Sequence, residues 1–128
     1  MALPQTNITV FRLGLAITLV IIMYLSTTQF EYPVVENIND KVSHILAFYV
    51  LALFGDFSFP EHKFDSVKIF LLLAYGSLIE IIQYFLPYRT FSLLDLLADA
   101  VGLVLYSLSV PALRGAPLLR RRWDSKAY

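Results

Sequence analysis

The sequence predicts an all-α fold, an integral membrane bundle of four transmembrane helices. Two observations carry this prediction. Of 128 residues, 58% are hydrophobic and only 16% are charged, against roughly a quarter in an ordinary soluble domain. A soluble chain this small has too little interior to enclose so much apolar side chain, because burial capacity falls with size. Lipid accepts it. The second observation is that the apolar residues fall into four runs separated by polar, proline-containing segments. Each run is close to the roughly 20 residues that a helix needs to cross a hydrocarbon core about 30 Å thick.

The first span is placed at 8–26. Its apolar run, Ile8–Leu25, is interrupted only by Arg12 and leaves the membrane at Ser26-Thr27-Thr28. It lacks a small-residue cleavage site and a strongly basic start, so it is read as an uncleaved helix rather than a signal peptide. A polar stretch runs from Gln29 to Lys41. The next apolar run, Val42–Phe57, is short for a crossing. The second span is therefore placed at 38–57, which carries Asp40, Lys41 and His44 into the upper layer of the membrane. Pro60 and the charged segment Glu61–Asp65 form a loop. The third span, 67–86, contains Glu80 and Gln83 and ends at Pro87; Tyr88-Arg89-Thr90 makes a tight turn. The fourth, 91–110, contains Asp95 and Asp99 and is closed by Pro111. One domain, 1–128, accounts for the whole chain, with a basic tail over 111–128. No cysteine is present, which removes disulfides and thiolate chemistry.

Four spans place both termini on one side. Formal net charge is zero, but Arg114, Arg120, Arg121, Arg122 and Lys126 against Asp124 give the tail +4, leaving −4 on residues 1–113. With the termini inside, Arg12, Lys63, Lys68 and the tail are cytoplasmic, and only Lys41 and Arg89 face outward. The excess of inner basic residues favours that orientation. The tail reads as a membrane-surface anchor. Its basic residues are not interleaved with aromatics, so nucleic acid is not an expected partner.

This topology gathers the polar residues. Asp40, Lys41 and His44 open helix 2, Glu80 and Gln83 lie near the end of helix 3, Arg89 is in the turn, and Asp95 and Asp99 open helix 4. Apart from Arg12, the intramembrane ionisable residues are expected in the outer half. Lys41 and His44 are three residues apart, as are Glu80 and Gln83, and Asp95 and Asp99 are four apart. Each pair thus shares one helix face. Gly76, Ala98 and Gly102 lie on the same faces and permit close helix approach. A carboxylate turned to lipid costs several kcal/mol, about 2.5–3.5 on insertion scales. The faces are therefore expected to turn inward and form a polar pocket open to the outer surface. Structural roles compete with this reading. Ser92-x-x-Asp95 fits a capping box, Asn37-x-x-Asp40 could cap helix 2, and Gln83 and Arg89 could be glue between helices. Glu80 fits a structural role least, near a helix C-terminus and deep in the apolar layer; it calls for Arg89 or Lys41 as a partner, or for a proton. Arg12 is expected to snorkel. Tyr32, Tyr84, Phe85, Tyr88 and Phe91 match an aromatic belt.

The ordered set Asp40-Lys41-x-x-His44, Glu80-x-x-Gln83, Pro87-x-Arg89 and Asp95-x-x-Ala98-Asp99-x-x-Gly102 resembles the VanZ-like family. These are small bacterial membrane proteins named after a teicoplanin-resistance accessory protein. The resemblance covers about residues 38–108. It implies a multi-helix membrane fold in the bacterial inner membrane and a link to the cell envelope, and it places His44, Glu80, Gln83, Arg89 and Asp95 at the family's characteristic positions. Family members commonly have Asn where this chain has Asp99.

Three functions stay open. The first is a binding protein whose Lys41, His44, Glu80, Gln83, Arg89, Asp95 and Asp99 hold an amphiphilic ligand, such as a lipid-linked envelope precursor or lipoglycopeptide, with an effect on teicoplanin susceptibility. The second is an enzyme on the same class of substrate, with His44, Glu80 and Asp95 as acid–base candidates. The third is a proton-coupled transport module, disfavoured by unbroken spans and one-sided charge. A metal-dependent variant of the enzyme using His44, Glu80, Asp95 and Asp99 is chemically possible, but these residues show no H-E-x-x-H spacing, so no metal or cofactor is assigned. Membrane lipids are the expected surroundings, and the sequence carries no signature of oligomeric state.

Overall fold

The computed structural model describes residues 3–28, 37–89, 91–117 and 119–123, with side chains in the second helix from Lys41 onward. Four long helices, α1 (Gln5–Thr27), α2 (Asn37–Ser58), α3 (Ser66–Phe85) and α4 (Leu93–Arg114), are followed by a single 3₁₀ turn over Arg120–Arg122. All four are long and apolar enough to cross a membrane. The fold is the expected all-α bundle. Asp40 and Tyr32, named above as a polar-cluster and a belt residue, lie outside the described side chains, as does the proposed Asn37–Asp40 cap.

α2 is the hub and packs against α1, α3 and α4. The buried residues of α4 are Asp95, Ala98, Asp99, Gly102, Leu103 and Tyr106, a stripe with alternating steps of three and one. α3 buries Gly76, Ile79, Glu80 and Gln83 in the same rhythm. Each stripe is one face of a helix with 3.6 residues per turn. Leu93, Leu97, Val104 and Leu108 occupy the opposite face of α4 and are exposed, as lipid-facing residues must be. The stripe is polar at one end and apolar at the other. Phe48, Leu51, Ala52, Leu103 and Tyr106 form the apolar core below the polar residues.

Small residues set the spacing. A Cβ at Gly102 would collide with the Ile45 carbonyl oxygen of α2, and one at Gly76 would lie 2.7 Å from Asp99 Oδ2. These two glycines let α2 and α4 approach backbone to backbone and leave room for the Asp99 carboxylate beside α3.

Four expectations are corrected at the opposite end. Pro111 does not close α4, which continues to Arg114. A proline in the last turn forfeits one hydrogen bond near a terminus where carbonyls are already being released, so the helix tolerates it. Nor is the tail wholly a surface anchor. Arg120 and Arg121 are exposed, but Arg122 and Trp123 are buried. Arg122 donates from Nη2 to Asp56 Oδ1 at 2.5 Å, from Nε to the Asp56 carbonyl at 2.7 Å, and to the carbonyls of Pro60 and His62 at 3.0 and 2.7 Å. Asp56 also pairs with Lys68 Nζ at 3.1 Å and accepts from Tyr106 Oη at 2.6 Å. Buried ionisable residues thus occupy both ends of the bundle, where the sequence reading, Arg12 aside, placed them at one. Leu3, Phe57 and Trp123 pack together, so the N-terminal end of α1 and the tail meet at this end. Arg12 does not merely snorkel: it donates from Nε to the Ser58 carbonyl at 2.9 Å, and its guanidinium lies over Phe59.

Candidate functional site

At the other end, α2, α3 and α4 bring five ionisable side chains together. Asp95 and Asp99 lie one turn apart on the buried stripe of α4, and His44 reaches between them from α2. His44 Nδ1 is 2.8 Å from Asp99 Oδ1, and Nε2 is 3.7 Å from Asp95 Oδ2. An ionised carboxylate only accepts, so an ionised Asp99 draws an imidazole proton to Nδ1, while Nε2 faces Asp95. Lys41, one turn earlier on α2, forms an ion pair with Asp95 Oδ1. Lys41 and His44 keep partial access to the surface while Glu80 and Asp99 are enclosed.

Glu80 completes the cluster in an unforeseen way. Ser92 caps α4, its Oγ accepting from Asp95 N at 3.4 Å. In a capping box the Asp95 carboxylate would return to the Ser92 N–H. Here Glu80 Oε2, from α3, accepts from Ser92 N at 3.0 Å instead. Glu80 therefore needs neither Arg89 nor Lys41 to hold it: it sits at the positive N-terminal end of α4. Asp95 is released to meet Lys41 and His44. The second Glu80 oxygen, Oε1, is buried with no hydrogen-bond partner among the described residues, on a residue only 1% exposed.

Gln83 and Arg89 turn elsewhere. Gln83 Nε2 donates to the Ser26 carbonyl at 3.0 Å, and Arg89 Nη2 donates to those of Leu25 and Thr28 at 2.9 and 2.8 Å. Tyr88 Oη adds a bond to the Thr27 carbonyl at 2.5 Å. Four consecutive carbonyls at the C-terminal end of α1, which has no basic residue of its own in its last turn, are capped by the end of α3 and its turn. This is the work that orphan carbonyls require, and the Arg89 cation suits the negative end of the helix. Tyr84, Phe85, Tyr88 and Phe91 surround this end and are exposed.

One ligating atom from each of His44, Glu80 and Asp95 lies within 4.8 Å of the other two. The three come from three helices, so no linear spacing announces the group. The described side chains of the cluster carry three carboxyl groups against one lysine, an excess of acid that sequence inspection showed without showing its closeness.

Comparison with known proteins gives one curated relative. The chain is 33% identical over 91 residues to an uncharacterised protein of the fission yeast Schizosaccharomyces pombe, covering 69% of this chain and 56% of the yeast protein. The chain thus spans little more than half the length of that relative, and no solved structure matches. The family model for VanZ/LLP1 matches residues 5–114, from the first turn of α1 to the end of α4, so this four-helix membrane protein belongs to the VanZ/LLP1 family.

Proposed function

We propose that the cluster receives the polar head group of a membrane amphiphile and performs acid–base chemistry on it, with His44 as the group that takes and gives the proton. The observation that carries this reading is the His44 imidazole fixed at Nδ1 by the buried Asp99 carboxylate at 2.8 Å, with Nε2 turned towards Asp95 and Glu80. General acid–base catalysis asks for such an arrangement: an imidazole held in place by a buried carboxylate, with its second nitrogen on the side where a substrate would enter. A core built only for stability gains little from three carboxyl groups, because each must be desolvated and then compensated. Lys41, partly exposed and bound to Asp95, stands where an anionic head group would enter. Arg89, capping α1, is not needed there.

The substrate class follows from position. The cluster lies at one end of the spans, ringed by exposed aromatics, at the depth where lipid head groups meet the hydrocarbon. In a bacterial inner membrane with both termini cytoplasmic, as the basic residues favour, the site faces the outer leaflet. There the substrate would be a lipid-linked envelope precursor or a lipoglycopeptide, and teicoplanin susceptibility is the phenotype to follow.

The test is to purify the wild type and His44→Asn in detergent and identify the co-extracted amphiphiles by mass spectrometry, alongside complementation of a deletion strain. The asparagine variant should retain an amphiphile that the wild type releases, and should fail to complement. Identical lipid profiles together with full complementation by His44→Asn would overturn the reading.

A further inference from the structure

We propose that His44, Glu80 and Asp95 form a binding site for one divalent metal ion of the Zn²⁺ or Mn²⁺ class. The inference rests on the reading of the cluster as a working site and adds to it a ligand that acid–base chemistry alone does not require.

Four features converge. The candidate ligand atoms of these residues lie within 4.8 Å of one another, and His44 Nε2 to Asp95 Oδ2 is 3.7 Å. Ligands about 2.0–2.2 Å from a common tetrahedral ion are separated by roughly 3.3–3.6 Å, so small side-chain movements close the site. Glu80 Oε1 is buried with no hydrogen-bond partner among the described residues, while Oε2 is held by the Ser92 N–H. A fixed, desolvated carboxylate with one oxygen unclaimed is costly unless something positive meets it. Third, Asp99 on His44 Nδ1 reproduces the carboxylate–histidine–metal relay, in which an outer carboxylate fixes the tautomer and raises the basicity of the ligating nitrogen. Lastly, the described side chains of the cluster hold three carboxyl groups against one lysine and one imidazole, an acid excess that a divalent cation would offset.

One imidazole and two carboxylate oxygens suit borderline to hard divalent ions rather than Cu(I). Three protein ligands also leave a four-coordinate ion one open position, the pattern of catalytic rather than closed structural zinc sites. Lys41, on the surface side of Asp95, sits beside the ion rather than among its ligands.

The experiment uses the full chain in detergent, stripped with chelator and then titrated with Zn²⁺, Mn²⁺ and the spectroscopic probe Co²⁺. The wild type should bind close to one equivalent of metal, with Co²⁺ giving the visible bands of a low-coordinate site, and its thermal unfolding temperature should rise on loading. Glu80→Gln should lose stoichiometric binding while unfolding at the temperature of the metal-free wild type. Asp99→Asn should weaken binding about 10- to 100-fold, and His62→Ala, which alters the other histidine, should leave it unchanged. Absence of a stoichiometric site in the wild type would overturn the proposal without need of any variant, and so would full binding by Glu80→Gln or loss of it in His62→Ala. A failed metal titration combined with the lipid retention expected of His44→Asn would sink the metal and leave the acid–base reading standing; the converse would sink the chemistry and keep the ion.

Discussion

Asp56 has no solvent exposure, and its carboxylate is held by Lys68, Arg122 and Tyr106. Removing one member of such a group leaves a buried charge uncompensated, which costs about 3–5 kcal/mol. Arg122→Ala should therefore lower the unfolding temperature in detergent sharply, while Arg121→Ala, one residue earlier and exposed, should change stability by no more than about 0.5 kcal/mol. Equal melting curves would show that the buried arginine contributes nothing. Glu80→Gln should behave differently again. Its amide oxygen can accept the Ser92 N–H as the carboxylate does, so stability should hold within about 1 kcal/mol while the complementing phenotype is lost. Retained phenotype with unchanged stability would remove Glu80 from the site. At this scale the sequence singled out Glu80 and misjudged its surroundings. Its residue types and spacings reveal which face it shares, but its partner, a backbone N–H twelve residues away across a proline turn, leaves no side-chain signature to read.

Between helices, the shared face of α2 and α4 fixes the geometry of the cluster. Gly102 is the closest point, against the Ile45 carbonyl, one turn beyond Asp99. Gly102→Val should push the two helices apart, destabilise the bundle by about 1–3 kcal/mol as overpacking does, and lengthen the His44–Asp99 contact; unchanged stability and function would mean the helices are free to separate there. The α1 terminus offers a complementary test. Arg89→Ala should remove two capping bonds and cost about 1–3 kcal/mol, the range for charged hydrogen bonds, with the greater solvent exposure at Leu25 to Thr28 detectable by amide exchange. The elements themselves were legible because long apolar runs and prolines punctuate the chain, and the observed helix limits lie within a few residues of those expected. The exception, Pro111, shows why a proline is a weaker stop signal in a last turn than in a first loop. The pairing of Gln83 and Arg89 with α1 was not legible, since main-chain carbonyls are common to every residue.

The molecule as a whole is four apolar helices with a cluster of ionisable side chains at one end and an ion-paired junction at the other. Cysteines placed at Tyr88 and at Arg121 should react with an impermeant thiol reagent from opposite sides of the membrane, and the distribution of basic residues makes Tyr88 the one labelled in intact cells; labelling of Arg121 alone would invert the topology and put the cluster on the cytoplasmic side. Charge counting along the chain favours this orientation, yet it passed over Asp56, which lies inside the second apolar run. The Asp56 junction draws on α2, α3, α4 and the tail, and Arg122 is the contribution translated last. Through Arg122 the chain returns after its last crossing to the loop that joins α2 and α3, and works there as a clasp. A cut between Arg114 and Arg122 should therefore loosen α2, α3 and α4 together, since all three share the Asp56 carboxylate.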